Sequence, residues 1–145
     1  MSKEEYASLV EKKSPNSPTP VNCLKAFLAG GLICVLGQAL RALFVHLGAE
    51  EETAATAVSV TLVFLGAFLT GVGIYDKLAK HAGAGTLVPI TGFANSVAAP
   101  AMEHKADGYV TGLAAKTFII AGPVIVFGTL ASVVYGIVLV VYRMM

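Results

Sequence analysis

The sequence predicts an all-α integral membrane protein with three full transmembrane helices and a broken, re-entrant Gly/Pro-rich segment. Three observations carry that expectation. The 145 residues are 56% hydrophobic and 13% charged, whereas about 25% of residues in an ordinary soluble domain are charged. Uncharged runs recur at the length that crosses hydrocarbon, about 20 residues. Between two of them, His81 to Met102 carries no Lys, Arg, Asp or Glu yet is interrupted by Gly83, Gly85, Pro89, Gly92 and Pro100.

Residues 1–20 form a polar arm, MSKEEYASLVEKKSPNSPTP. Ser2 is placed to cap a short helix with Glu4 and Glu5 in its first turn and Lys12 and Lys13 in its last, both favourable to the helix dipole. Pro15, Pro18 and Pro20 are expected to end it. The arm has no early apolar core, so it does not read as a cleaved signal peptide, and the first spanning helix is expected to act as signal-anchor. Tyr6, Leu9 and Val10, extended by Leu24, make a modest apolar stripe that suits either an arm on the membrane or a partner, or a plain solubilising tail.

Residues 21–145 form the membrane domain. Helix one is predicted over about Val21 to Leu47, and helix two over the uncharged run Thr53 to Tyr75, joined by Gly48 and the acids Glu50, Glu51 and Glu52. Thr117 to Tyr142 is uncharged and bracketed by Lys116 and Arg143, which predicts the last span. Lysines gather before and at the start of helix one (Lys3, Lys12, Lys13, Lys25) and after helix two (Lys77, Lys80), while the intervening connection holds only acids. The positive-inside rule then places the N-terminus in the cytoplasm.

The central segment decides the remaining topology. Lipid offers no hydrogen bonds, so irregular backbone at membrane depth has to be enclosed by protein or line water. Closely spaced breakers favour two half-elements that enter and return, leaving the C-terminus outside; a full crossing would reverse the last helix. Within AGAGTLVPITGFAN (Ala82 to Asn95), Gly83, Gly85 and Gly92 give backbone freedom, Pro89 a rigid corner, and Thr86, Thr91 and Asn95 polar side chains. Thr91 is placed to cap a helix starting at Gly92, whose free amides would favour an anion. A tight turn without ligand is the competing reading.

Gln38 and Arg41 share a face of helix one. Arginine within a span is costly, so Arg41 either marks an anion path or reaches back to Glu50, Glu51 and Glu52 at the helix end. Gly128, Ser132 and Gly136 recur every fourth residue of the last helix, and Ala67 with Gly71 repeats the pattern in helix two; small residues allow close helix approach, or else line a pore. Gly122 and Pro123 mark a bend or a gate.

Several classes are disfavoured. A net charge of +1 gives no field for nucleic acid. Cys23 and Cys34 lie on one helix roughly 16 Å apart at 1.5 Å per residue, too far for a mutual disulfide, and no metal-ligand spacing, calcium loop or cofactor motif is present. The clusters Asp76, Lys77, Lys80, His81 and Glu103, His104, Lys105, Asp107 complete no catalytic motif and read as interfacial anchors or partner contacts, so no catalytic residue is assigned.

GGLICVLGQ (Gly30 to Gln38), TGVGIYD (Thr70 to Asp76), AGAGTLVPITGFAN and the pair Glu103-His104 followed by Gly108 together resemble the stage V sporulation protein AC family. The long arm and the Glu-His pair separate it from the related stage V sporulation protein AE. Pro100 departs from the family pattern and argues against one straight helix from Thr91 to Asp107. The resemblance implies a subunit of a spore inner-membrane channel that moves dipicolinate, as its calcium chelate, into the forespore and out at germination, with a tension-gated activity. It also implies the AE membrane subunit and the soluble AD protein as partners. A non-conducting subunit that assembles a partner pore is the alternative, and a membrane enzyme the least favoured reading.

Overall fold

The computed structural model describes residues 3–13 and 17–144, and those residues are helical with turns and no strand. Helices long and apolar enough to span a membrane are, among them, Thr19–His46, Glu51–Gly71 and the continuous stretch Tyr109–Met144. The predicted cap Ser2 and the stop at Pro15 lie outside the described residues. The arm helix, α1, covers Lys3–Lys13.

Helix α2 (Thr19–His46) begins two residues before Val21, because Pro20 occupies its first turn instead of stopping the arm. A first-turn proline loses no hydrogen bond, since its missing N–H would be unpaired there anyway. Helix α3 (Glu51–Gly71) carries Glu51 and Glu52 in its first turn, where the helix dipole favours them. It stops short of the expected Tyr75. Gly73 takes φ +73°, its N–H bonds the Thr70 carbonyl and that of Ile74 bonds Leu69. Gly48 (φ +94°) ends α2 with the same pair of bonds, to Val45 and from Ala49 to Phe44. This is the glycine-terminated Schellman arrangement, and the uncharged run hid it.

The chain continues as α4 (Tyr75–Ala82), a single turn α5 (Ala84–Leu87), and α6 (Ile90–Glu103). Helix α6 contains Pro100 and ends soon after it, with the His104 N–H bonded to the Pro100 carbonyl. A 3₁₀ turn (Lys105–Asp107) and a π-helical turn (Tyr109–Ala114) then lead into α7 (Ala115–Met144), which runs unbroken through Gly122 and Pro123.

Contacts fix the directions of these elements. Gly37 packs on Val58 and Leu62 and Arg41 meets Glu51, so α2 and α3 are antiparallel. Ala82 and Gly83 share a groove with Asn22 and Cys23, whereas Val88 and Pro89 share one with Gly30 to Cys34. The α5 limb therefore follows α2 in the same direction. Thr91 lies beside Gly66 and Asn95 beside Thr70, so α6 follows α3. Because α2 and α3 oppose each other, the chain reverses at Val88–Pro89: the broken segment is a hairpin of two helical limbs clasped between them. Helix α7 packs on α6 and buries Ala121 completely. Beyond Gly122 it has no buried residue.

Candidate functional site

The hairpin holds a cluster of buried, uncharged polar groups. Tyr75, Thr70, Thr86 and Thr91 are all buried. The Tyr75 hydroxyl stands 2.7 Å from the Thr86 carbonyl oxygen and 3.1 Å from Thr91 Oγ1. A phenol has one proton; given to the shorter contact, it leaves the Thr91 hydroxyl to donate back to the Tyr75 oxygen. The Thr86 hydroxyl donates to the Gly83 carbonyl at 3.0 Å. One turn lower, Thr70 donates to Gly66 at 2.6 Å and lies 2.9 Å from Asn95 Oδ1. With that single proton committed to Gly66, the second contact is best made by the Asn95 NH₂, the carboxamide turned end for end.

Close backbone approach makes this arrangement possible. A Cβ on Gly85 would run into the Ala26 carbonyl of α2, and one on Gly92 into the Thr86 and Leu87 carbonyls across the hairpin turn. At Gly66 it would stand 2.8 Å from the Thr91 oxygen. Every buried side-chain polar atom among the described residues has a partner, and the grooves of the molecule lie around the hairpin rather than through it. The cluster presents hydroxyls and carbonyl dipoles with no carboxylate, ammonium, guanidinium or imidazole. It offers hydroxyl, carboxamide and carbonyl groups for hydrogen bonding, with the Tyr75 phenol at its centre.

The structure brings Gly83, Gly85, Thr86, Pro89, Thr91, Gly92 and Asn95 together in the hairpin. Their roles differ from those expected. Thr91 does not cap: α6 starts at Ile90 with Pro89 in the cap position, and Thr91 is turned inward to Tyr75. The Gly92 and Phe93 amides both point at the Pro89 carbonyl, at 2.8 and 3.4 Å, so they are not free for an anion. Gly85 and Gly92 serve by lacking a Cβ, not by positive φ, which within the hairpin falls to Gly83 (φ +53°).

Gln38 and Arg41 stand apart. Arg41 lies seven positions beyond Cys34, the last α2 residue beside the hairpin turn, roughly 10 Å at 1.5 Å per residue, and its guanidinium donates to Glu51 at 3.3 Å. With Gln38, Val45 and His46 it lines a shallow surface groove. The reading in which Arg41 reaches back to the acidic connection describes what is seen. A Cβ on Gly128 or Gly136 would meet nothing within 4 Å outside the backbone of its own helix turn, and Ser132 donates to the Gly128 carbonyl of its own helix at 2.8 Å. A Cβ on Gly122 would meet only Phe118 of its own helix, at 3.8 Å.

Sequence reasoning missed Tyr75, Thr70 and Gly66. In α3 the buried stripe is Ala54, Leu62, Gly66 and Thr70, one position off the expected Ala67 and Gly71, and a Cβ on Gly71 would meet nothing within 4 Å. Gly66 and Thr70 are themselves a small pair four apart, so the signal existed in the other register. Gly112 was also missed; a Cβ there would strike the His104 carbonyl, which fixes the π-helical turn against His104, itself 3.0 Å from Asp107.

Residues 22–138 match the family model described as SpoVAC/SpoVAEB sporulation membrane protein. The chain is 47% identical over 137 residues to "Stage V sporulation protein AC" of Bacillus subtilis (strain 168), covering 94% of this chain and 91% of that relative. No solved structure matches. The match spans both the hairpin and the helices that clasp it, and the chain belongs to the SpoVAC/SpoVAEB family of sporulation membrane proteins.

Proposed function

We propose that the chain is a subunit of a spore inner-membrane channel that passes dipicolinate, as its calcium chelate, into the forespore and out during germination, opening under membrane tension. The observation that carries this reading is the charge-free polar cluster of Tyr75, Thr86, Thr91, Thr70 and Asn95 inside a hairpin between spanning helices. Burying polar groups in lipid surroundings is costly, and a purely structural turn has no need of four of them beside a half-buried Asn95. In this reading the hairpin enters and leaves the membrane from the cytoplasmic side, with the N-terminus cytoplasmic and the C-terminus opposite. Separation of α5 from α2 or of α6 from α3 then exposes hydroxyls and carbonyls along a path. The subunit works without enzymatic chemistry, alongside the AE membrane protein and the soluble AD protein.

The test is dipicolinate release from liposomes containing the purified chain under imposed tension. Release is expected, and it should fall at least several-fold in Asn95→Leu with protein content unchanged. Cysteine accessibility should find Glu103 and Arg143 on opposite faces of the membrane; the same face would overturn the re-entrant arrangement. The closed packing of the hairpin favours one alternative, a non-conducting subunit that holds a partner pore. In that case the chain alone passes nothing, and release returns only with the AE protein present.

A further inference from the structure

A groove runs between α2 and the α4–α5 limb, and its two ends differ in chemistry. Its mouth, about 460 Å³, is lined by Thr19, Asn22, Lys80 and His81, with Cys23 at its side. It continues past Ala26 and Ala84, which belong to both parts, into an apolar trough of about 420 Å³ along Gly30, Gly31, Cys34, Val88 and Pro89. A second apolar groove leaves the other side of His81, along Leu28 and Leu32, with Lys25 beside it. One ammonium group, Lys80, thus lines the mouth and a second, Lys25, lines the neighbouring groove across His81, and no carboxylate lines any of the three among the described residues.

We infer that this groove is a binding site for an anionic phospholipid, with the phosphate at Lys80 and the Asn22 and Thr19 polar groups and an acyl chain in the trough against Gly31 and Pro89. The argument is one of complementarity. A basic, donor-rich mouth at the end of a spanning helix that opens into an apolar trough has the order of groups of an amphiphile, and basic pockets between transmembrane helices select anionic headgroups. A packed helix from another protein would fill the trough but leave Lys80 beside an apolar surface. A small free anion would use the mouth and leave the trough empty. The glycines matter here too: a Cβ on Gly31 meets nothing within 4 Å, so the trough is open because two neighbouring α2 positions, Gly30 and Gly31, carry no side chain. The site goes beyond the channel reading and does not depend on it.

The two cysteines of the chain, both exposed, line the two ends of the groove and report on it directly. Native mass spectrometry of the delipidated protein in detergent should retain dioleoyl phosphatidylglycerol roughly tenfold better than dioleoyl phosphatidylcholine, as expected for an ammonium group in the mouth and a second one nearby. Lys25→Gln with Lys80→Gln should bring the two lipids near parity. Gly31→Leu should remove both while circular dichroism and thermal stability are kept. Phosphatidylglycerol should slow maleimide labelling of Cys23 and of Cys34 together. Equal retention of the two lipids, unmoved by either variant, would mean annular lipid only and overturn the site. So would protection of Cys23 by dipicolinate with no protection of Cys34 by phosphatidylglycerol, which assigns the mouth to a free anion. Protection of Cys34 that rises with protein concentration in the absence of lipid assigns the trough to a second copy, and equally overturns it.

Discussion

The hairpin and the far half of α7 are both apolar, yet one is packed backbone to backbone and the other stands bare. In the hairpin Gly85, Gly92, Thr86 and Thr91 are buried, whereas no residue of α7 beyond Gly122 is. The difference follows from the depth of the hairpin. Helix α6 begins at the turn beside Gly66, partway along α3, so α7 has a neighbour only along its first part. Hydrophobicity alone therefore does not say where this protein is held together. In lipid, where apolar surface gains little by leaving its surroundings, cohesion comes from close contact and hydrogen bonds, and both are concentrated in the hairpin.

The strongest way to break that contrast is to add a side chain where backbone meets backbone. Gly85→Val and Gly92→Val place atoms onto carbonyls of α2 and of the hairpin turn, a clash that backbone cannot absorb. The expected loss is about 3 kcal/mol or more, the upper end of overpacking costs, seen as a collapse of the detergent-solubilised melting transition and of membrane accumulation. Gly71→Val, at a position with nothing within 4 Å, should leave both near wild type. Equal damage at Gly71 and Gly85 would mean that the hairpin is not the packed region.

Next in size is the polar cluster. Tyr75→Phe keeps the ring but removes the hydroxyl shared by the Thr86 carbonyl and Thr91, leaving buried groups unpaired at a cost of about 1–3 kcal/mol. Tyr135→Phe, on the exposed half of α7, serves as the matched control and should change nothing measurable. Comparison of their unfolding midpoints in detergent checks the prediction.

The spans were legible in the sequence because hydrocarbon sets a minimum apolar length, and the hairpin because glycine and proline break a helix wherever they cluster. Its register was not. Helix two was expected to run to Tyr75 because nothing charged interrupts it, yet Gly73 ends it and frees Tyr75 to turn inward. Thr91 carries the side chain of a good cap, but Pro89 takes that position and tertiary contact draws the hydroxyl to Tyr75. Which of two small-residue stripes in α3 faces α6 depends on the depth at which the hairpin docks. That depth is set by the contacts of Gly66 with Thr91 and of Gly85 with Ala26, between residues far apart in the chain.

A smaller effect is expected at the opposite end of α2. The Arg41–Glu51 pair is 3.3 Å long with both side chains substantially exposed, and exposed pairs contribute about 0–1 kcal/mol. A double-mutant cycle of Arg41→Gln and Glu51→Gln should give a coupling within that range. In the proposed channel, dipicolinate release should be unchanged in Arg41→Gln, since the Arg41 guanidinium is held by Glu51 two turns beyond the α2 residues beside the hairpin turn. A several-fold loss of release with stability intact would extend the path to that end of the molecule.

The smallest effect on the chain itself, and the most informative about its surroundings, is expected at Gly128 and Gly136. A Cβ added at either meets nothing within 4 Å, so Gly128→Leu and Gly136→Leu clash with nothing inside this chain. Both also exchange glycine for a better helix former, and the isolated protein should melt within about 0.5 kcal/mol of wild type or slightly above it. Small residues every fourth position are what a closely approaching helix requires. Recovery of a multisubunit complex from membranes should therefore fall in these variants, while insertion and the stability of the chain alone do not. Val133→Leu, on the same bare half of α7, controls for added bulk. If all three variants form the complex as well as wild type, the Gly128–Gly136 face meets lipid, and the far half of α7 is an anchor rather than an interface.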